Sequence, residues 1–216
     1  MFDNRTQAGK LLAREFGKKI APLKNVIVVG LPRGGIPVAF EFAKYLSLPL
    51  EIFSVKKIPA PYNPELALGA VTEQGEVFYN QELINQYGMN DDQLKNKTSE
   101  MHKKAKEQGQ LLRKNHNLSN FEHKNIILID DGIATGATIR AAIEHFRKCS
   151  ANSIVLATPV CSQDIWAQIK NLVDDIFVLD IPFYFEAVGR HYRNFSQVSN
   201  KEIIDLYGNE LDATAS

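Results

Sequence analysis

The sequence predicts an α/β fold in which a parallel central sheet is flanked by helices. Short aliphatic runs, of which Val26–Gly30 and Asn125–Ile129 are the clearest, alternate with segments whose apolar residues recur at helical spacing. Aliphatic runs without polar alternation are typical of strands buried on both faces, as in parallel sheets covered by helices. In such sheets ligands bind beyond the carboxyl ends of the strands, where the strand order reverses.

In the first half of the chain, hydrophobic spacing and Gly/Pro punctuation predict each element in turn. They are a helix over 4–16 that stops at Gly17, a strand at 26–30, a tight loop at 31–36, a helix from Pro37 to Leu46, a strand at 50–55, a proline-rich loop at 56–65, and a hairpin of strands 66–72 and 76–79 around Gln74-Gly75.

In the second half, a narrow apolar stripe predicts a long exposed helix after the cap-like Asn90-Asp91-Asp92. The Lys103, Lys104 and Lys106 cluster on it favours a solvated face over a nucleic-acid patch. The remaining predicted elements are a strand at 125–129, a helix at 139–148, a strand at 154–158, a helix at 162–173, a strand at 176–179, and a short helix capped by Ser199 that ends at Gly208 before a frayed tail.

The composition is that of an ordinary globular protein: 216 residues, 44% of them hydrophobic, and a formal net charge of zero. We expect one domain over 1–216, with a helical insertion at 81–120 and a small C-terminal hood at 181–208. The neutral charge offers no case for nucleic-acid or membrane binding. Two cysteines, 149 and 161, and an N-terminus without an apolar leader favour reduced thiols in the cytoplasm.

The stretch from Asn125 to Thr138 is the most informative part of the chain. An aliphatic strand ends in Asp130 and Asp131, and the loop Ala134-Thr135-Gly136-Ala137-Thr138 then opens a helix. Free N–H groups at a helix start suit a phosphate, and paired carboxylates suit a polyhydroxylated ligand. The alternative is simple turn and cap chemistry, because Asp-Gly and Thr are common there. Adjacent carboxylates repel each other, which favours a site for a phosphorylated sugar.

The segment I-L-I-D-D-G-I-A-T-G-A-T resembles the diphosphosugar-binding motif of the type I phosphoribosyltransferases. Three other segments, G-L-P-R-G-G-I-P-V-A, N-P-E-L-A-L-G-A-V and I-P-F-Y-F-E-A-V-G, are similar to a bacterial branch of that family, so the resemblance covers residues 2–207. It implies transfer of a phosphoribosyl group from phosphoribosyl diphosphate to a nitrogenous base with release of diphosphate. It also implies Mg²⁺, held mainly by the substrate and in part by Asp130 and Asp131, and a homodimer.

Position by position, the resemblance implies that Asp130 and Asp131 hold the ribose hydroxyls. It implies that the loop from Ala134 to Thr138, with Thr135, Gly136 and Ala137, cradles the 5′-phosphate, and that a side chain at Gly136 would intrude on the phosphate. This interpretation requires both carboxylates to face an open cleft, free of bridges to cationic neighbours.

The family's diphosphate loop corresponds to Arg33, Gly34 and Gly35, where relatives often carry a cis peptide bond. The alternative is a Gly-Gly turn with a surface arginine. Lys56 and Lys57 match the place of a diphosphate-binding basic residue, although one of them could be a solvated lysine. The residues 58–66 would form a mobile lid.

The acceptor base stays open. The 6-oxopurine branch of the family has an aspartate where this chain has Ala134, which disfavours hypoxanthine and guanine, and the orotate branch's lid pattern is absent. Aromatic residues between 183 and 195 fit a hood that stacks a base and core residues equally well. The alternative function is a protein that binds phosphoribosyl diphosphate or a nucleotide as a regulator, without turnover. A receiver domain and a Rossmann protein fit less well, because the acid pair lies late in the chain and no G-x-G-x-x-G follows a strand.

Overall fold

The structure is a computed structural model that describes residues 1–20 and 22–214, with the backbone alone for 64–65 and 209–214. The helices are α1 (Arg5–Ile20), α2 (Gly35–Leu46), α3 (Gln81–Gln86), α4 (Asp91–Leu112), α5 (Ala137–Lys148), α6 (Gln163–Ile169) and α7 (Asn200–Thr214). The strands are β1 (Val26–Gly30), β2 (Leu50–Ile52), β3 (Val55–Ala60), β4 (Asn63–Thr72), β5 (Val77–Tyr79), β6 (Asn125–Ile129), β7 (Ser153–Val160) and β8 (Asp175–Asp180). None of the helices in the described ranges combines the length and apolarity needed to cross a membrane.

The predicted parallel sheet is confirmed, with strand order β2-β1-β6-β7-β8. Val28 and Ile127 pack on one face with α1, α2 and α7, whereas Ile126 and Leu128 pack on the other face with α5 and α6. Both faces of the central strands are therefore buried, which explains why these strands read as continuous aliphatic runs.

The order of the strands places two loops side by side. From β1 the chain crosses to β2 on one side, and later returns to β6 on the other side of β1, with Gly30 paired to Ile129 at the end of both strands. This is the switch point at which open α/β sheets bind ligands. Residues 31–34 and 130–136 leave the sheet at that point, as expected from the sequence.

The prediction of a loop over residues 56–65 was wrong, and residues 58–66, expected to form a mobile lid, belong to β3, to β4 and to the turn between them. The predicted strand at 50–55 is divided between β2 in the main sheet and β3, which with β4 and β5 forms an antiparallel sheet in the order β3-β4-β5. Proline punctuation suggested a loop, but Pro59 lies on an edge strand at an irregularity in the register. Edge strands and bulges are the places in a sheet that tolerate proline. The predicted hairpin at Gln74-Gly75 is confirmed, with Gly75 at φ 100°.

Two glycines that were predicted to end helices lie within helices instead. Helix α1 continues through Gly17, where a Cβ would lie 2.6 Å from Cδ2 of Leu46 on α2, so this glycine allows the two helices to pack closely. Helix α7 continues through Gly208 to Thr214, where a frayed tail was expected. The last two residues of that tail, 215–216, lie outside the described residues.

Helix α4 is the predicted helix after Asn90, whose side chain and that of Gln93 form a reciprocal capping box. A buried ion pair fastens its far end: Arg113 donates to both carboxylate oxygens of Glu73, at 2.8 and 2.6 Å, and to the carbonyl of Ile52 at 2.7 Å. Both charged side chains are at most 3% exposed. The insertion is thereby joined to β4 and to the end of β2. Helix α3, before it, was not predicted.

Candidate active site at the carboxyl ends of β1 and β6

The loop after β1 and the acid pair after β6 are in direct contact. A Cβ at Gly34 would overlap the Asp131 carboxylate, and one at Gly35 would lie 2.9 Å from the Ile129 carbonyl oxygen. Only glycine permits this approach, which gives a steric reason for the Gly-Gly pair. A cis peptide bond joins Pro32 to Arg33 immediately before it. The structure does not support the alternative of an isolated Gly-Gly surface turn, because the loop packs directly against the acid pair.

The loop from Ala134 to Thr138 presents the start of helix α5. Ala134 and Thr135 are exposed, and in the described chain no side chain caps the helix at Gly136. The first N–H groups of α5 and the positive end of its dipole are therefore available to an anion. Gly136 has φ 68°, and a Cβ there would lie 2.7 Å from Cδ1 of Ile169. The steric need for glycine thus comes from the backbone conformation and from α6, whereas we had expected it from the phosphate side.

The two aspartates differ in their surroundings. Oδ1 of Asp130 accepts a hydrogen bond from the Asp131 amide at 2.9 Å. Burial, and next the charge of Asp131, raise the pKa of Asp130 well above its ordinary value, while Lys57 opposes this shift. Burial also raises the pKa of Asp131, against the opposing charge of Arg5. The pair therefore retains a high affinity for a proton or a hydrogen-bond donor.

The expectation that both acids are free of cationic neighbours was wrong for Asp131. Nε of Arg5, in the first turn of α1, donates to Oδ2 of Asp131 at 2.7 Å, and both side chains are nearly buried. The Arg5 guanidinium also lies 3.8 Å from the ring centroid of Phe195 and donates to the Ser196 carbonyl at 2.8 Å. Tyr192 donates its hydroxyl to the Asp131 carbonyl at 2.6 Å.

Sequence reasoning missed Arg5, because 126 positions separate it from its partner and no local pattern marks it. The ion pair holds only one oxygen of Asp131, and the same carboxylate touches the glycine loop. Asp131 therefore does not meet the condition stated for the sugar site, and a ligand bound to its Oδ2 would share that oxygen with Arg5.

The two lysines of β3 have different surroundings, because successive residues of a strand point to opposite faces. Lys56 is half-buried and lines a cavity of about 500 Å³ together with Arg33. Burial lowers the pKa of Lys56, and the charges of Arg33 and Lys104 lower it further. Lys57 is exposed, and its charge acts on Asp130. Neither lysine is remote from the site.

A second cavity, of about 520 Å³, adjoins the phosphate-type loop and contains Ala134 and Thr135 in its wall. Arg140, one turn into α5, also lines it and donates to Oε1 of Gln168 at 2.8 Å. Its guanidinium lies 5.3 Å from the ring centroid of Phe78. Arg140 was not among the predicted site residues, although its position four residues after Gly136 could have suggested it.

The aromatic residues after β8 divide into two groups. Phe183 and Tyr184 are 89% and 84% exposed, whereas Tyr192 is 5% exposed and packs against Phe2. Tyr192 is thus a core residue, whereas Phe183 and Tyr184 lie at the surface.

Comparisons with known proteins agree with this arrangement. The model of the phosphoribosyl transferase domain family matches residues 3–192. Two proteins from Mycobacterium tuberculosis strains, each named "Putative phosphoribosyl transferase", are 36% identical over 208 residues, which is 94% of this chain. Those residues make up 46% of each relative, so the chain spans about half the length of the curated relatives it matches.

Among solved structures, the crystal structure of TT1426 from Thermus thermophilus is similar to nearly the whole chain. The TM-score is 0.79 at 31% identity, covering 96% of this chain and 97% of that one. The AQ2163 protein from Aquifex aeolicus shares the fold, with a TM-score of 0.54 at 14% identity over 86% of this chain and 78% of that one. The family match, which extends over most of the chain and includes the site, establishes that the chain belongs to the phosphoribosyl transferase domain family.

Proposed function

We propose that the protein transfers the phosphoribosyl group of phosphoribosyl diphosphate to a nitrogenous base and releases diphosphate. The observation that carries this proposal is the contact between the glycine loop after β1 and the acid pair after β6, beside the uncapped start of α5. Groups suited to an anion, to a diol and to a diphosphate therefore lie at one edge of the sheet.

The donor's ribose 5-phosphate part fits the β6–α5 connection. Asp130 and Asp131 accept hydrogen bonds from the ribose hydroxyls, and the N–H groups from Thr135 to Thr138 donate to the 5′-phosphate. Each charge-assisted hydrogen bond of this kind contributes roughly 1.5–3 kcal/mol. The raised pKa values of both acids support this assignment, because hydroxyl donors relieve the cost of two adjacent buried carboxylates.

The leaving diphosphate fits the other half of the site. Arg33 and Lys56 line one cavity, and Lys57 adds positive charge toward the acid pair. Cations fixed where negative charge develops stabilise the transition state more than the substrate, and this is the contribution we assign to these three residues. Arg33 and the lysines therefore act on the leaving group, while the acid pair holds the ribose and the loop before α5 holds the 5′-phosphate.

The donor set fits Mg²⁺ that is shared with substrate phosphates. Among the described residues, no group of three or more His, Cys, Asp or Glu side chains is placed to hold a metal ion. Asp130 and Asp131 offer carboxylate oxygens, which Mg²⁺ prefers, and the substrate's own oxygens would provide most of the other ligands. Bound Mg²⁺ would neutralise charge on the diphosphate.

The test has two stages. Titration calorimetry with phosphoribosyl diphosphate and Mg²⁺ measures binding, and a panel of purine and pyrimidine bases is then screened for diphosphate release. We expect release with one base, and little with hypoxanthine or guanine, because Ala134 replaces the acid that the 6-oxopurine enzymes use. Tight binding without release for any base would support the regulatory alternative, and absence of binding would contradict both.

A further inference from the structure

The Arg5 side chain joins three parts of the molecule at the acid pair. Its Nε donates to Oδ2 of Asp131 at 2.7 Å, and its Nη1 donates to the Ser196 carbonyl at 2.8 Å. The guanidinium also lies over the Phe195 ring, with Cζ 3.8 Å from the ring centroid. A planar guanidinium makes both hydrogen bonds and the stacking contact at once, whereas an ammonium group has no face to stack. Arg5 therefore holds the Asp131 carboxylate by a fixed geometry as well as by charge.

The backbone that carries Arg5 is also held in place. Asn4 precedes α1, and its Oδ1 accepts from the Gln7 amide at 2.8 Å, as expected of a residue that caps a helix start. The segment before α1 is bonded to the segment after β8, because the Phe2 amide donates to the His191 carbonyl at 2.8 Å. Arg5 is thus supported at its backbone and at its guanidinium, and it has little conformational freedom to lose when a ligand binds.

Asp131 is restrained at three points. Its carbonyl accepts from the Tyr192 hydroxyl at 2.6 Å, its Oδ2 accepts from Arg5, and its carboxylate lies against the backbone of Gly34. Oδ1 of Asp131 accepts no hydrogen bond from the described residues, yet it is not one of the buried polar atoms that lack a partner. Oδ1 is therefore the oxygen of this carboxylate that is open to a ligand. Rotation of the carboxylate would exchange the two oxygens, and the bond from Arg5 to Oδ2 opposes that rotation.

The charge of Arg5 matters because two carboxylates are adjacent. Asp130 and Asp131 repel each other, and this repulsion opposes their placement at one ligand. The side chains of Arg5 and Asp131 are only 11% and 13% exposed, so solvent screens this pair less than it screens a surface ion pair. Arg5 thus compensates one of the two negative charges that the acid pair brings together.

We propose that Arg5 is a positioning residue of the sugar site: by holding Oδ2 of Asp131, it orients the carboxylate so that Oδ1 accepts a hydrogen bond from a ribose hydroxyl. This proposal rests on the proposed function, and it adds to the site a residue of α1 that no local motif marks. The ion pair is then compatible with a sugar ligand, because Arg5 and the ligand use different oxygens. The alternative is an ion pair that only fastens α1 to the sheet.

The experiment compares Arg5→Met with Arg193→Met. Arg193 also joins the segment after β8 to the segment before α1, through Asp3 at 2.9 Å, but that pair is exposed and does not include Asp131. Titration calorimetry with Mg²⁺ measures the affinity for three probes: phosphoribosyl diphosphate, ribose 5-phosphate, and inorganic diphosphate, which has no diol. We expect Arg5→Met to weaken the first two by about 10-fold, as for coupled residues in direct contact, and to leave diphosphate unchanged. Arg193→Met is expected to leave all three affinities unchanged.

A double-mutant cycle tests whether Arg5 acts through Asp131. In the Asp131→Asn background, Arg5→Met is expected to cause no further loss of affinity for ribose 5-phosphate, because the carboxylate that Arg5 orients is absent. A loss that adds to that of Asp131→Asn would overturn the proposal. If urea unfolding shows that Arg5→Met does not fold, Arg5→Gln, which keeps an N–H donor, takes its place in both experiments.

The remaining outcomes separate the role of Arg5 from the proposed function. If wild-type protein binds phosphoribosyl diphosphate and Arg5→Met binds ribose 5-phosphate equally or more tightly, the role of Arg5 is overturned while the proposed function stands. Equal weakening of all three probes would also overturn it, because that result would indicate a general structural effect. If wild-type protein binds no phosphoribosyl diphosphate, the proposed function itself fails.

Discussion

Asp130 and Asp131 are adjacent in the chain, but different groups stabilise their negative charges. Asp131 has the guanidinium of Arg5 at 2.7 Å, whereas Asp130 has an amide N–H and the more distant charge of Lys57. Burial raises the pKa of both. At the scale of single residues, we therefore expect the site's acids to favour ligand binding at the cost of stability.

Replacement of Asp130 by asparagine should raise the free energy of unfolding at neutral pH. The folded-state pKa of Asp130 lies above its ordinary value of 3.8, so the folded protein binds this proton more tightly than the unfolded chain does. Stability is then lost as pH rises through the folded-state pKa, and it is fully present below about 3.8. Urea unfolding at several pH values should show that the gain from Asp130→Asn shrinks as the pH falls. A gain that is the same at every pH would contradict the assignment to this carboxyl group.

Replacement of Asp131 by asparagine should weaken the binding of phosphoribosyl diphosphate by about 10- to 100-fold, the loss of one charge-assisted hydrogen bond. Titration calorimetry measures this directly. Asp174→Asn is the matched control, because Asp174 also pairs with an arginine, at 2.9 Å, but lies half exposed and remote from the lining of both cavities beside the site. Unchanged affinity in Asp131→Asn would remove this residue from the sugar site.

At the scale of elements, a buried ion pair joins the end of helix α4 to the end of β4, in addition to apolar packing between α4 and the antiparallel sheet. Arg113 contacts Glu73 after β4 and the end of β2, and the second buried carboxylate, Glu51, lies 4.0 Å from its Nε. Glu51 is itself held by Ser119 and Tyr207, so α7 joins the same network. The network therefore fixes α4, which contributes to the wall of the cavity that Arg33 and Lys56 line, relative to the main sheet.

Arg113→Met should destabilise the protein by about 3–5 kcal/mol, because it leaves Glu73 buried without a cation. Arg147→Met is the control: its pair with Asp174 has side chains 41% and 46% exposed, and the expected loss is at most about 1 kcal/mol. Urea unfolding of both variants gives the comparison. Similar small losses in the two variants would show that the buried pair does not fasten α4.

At the scale of the whole molecule, the proposed function requires the ligand to contact several separate elements: the loop after β1, β3 and the β6–α5 connection. A ligand that binds the folded state and not the unfolded chain stabilises the protein by about 2.7 kcal/mol at one hundred times its dissociation constant. Because the ligand joins these elements, its effect should appear as one cooperative shift of the unfolding transition.

Thermal unfolding with phosphoribosyl diphosphate and Mg²⁺ at that excess should therefore raise the melting temperature by roughly 5–10 °C for a chain of this size. Mg²⁺ alone and ribose 5-phosphate alone should give smaller shifts, since each occupies only part of the site. A melting temperature that does not change with phosphoribosyl diphosphate would contradict the proposed donor.

The sequence by itself determined that the sheet is parallel, where its strands and flanking helices lie along the chain, and the β6–α5 connection, because those features depend on local periodicity and on the short motif from Asp130 to Thr138. The tertiary structure decided the contacts between distant parts of the chain, which local sequence patterns do not predict. Arg5 meets Asp131 across 126 positions, Gly17 serves helix packing instead of ending a helix, and the proline-rich segment pairs as an edge strand. It also brings Lys104 from a distant, polar helix to the cavity of Arg33 and Lys56. These are contacts between residues far apart in the chain, and their existence depends on how whole elements pack.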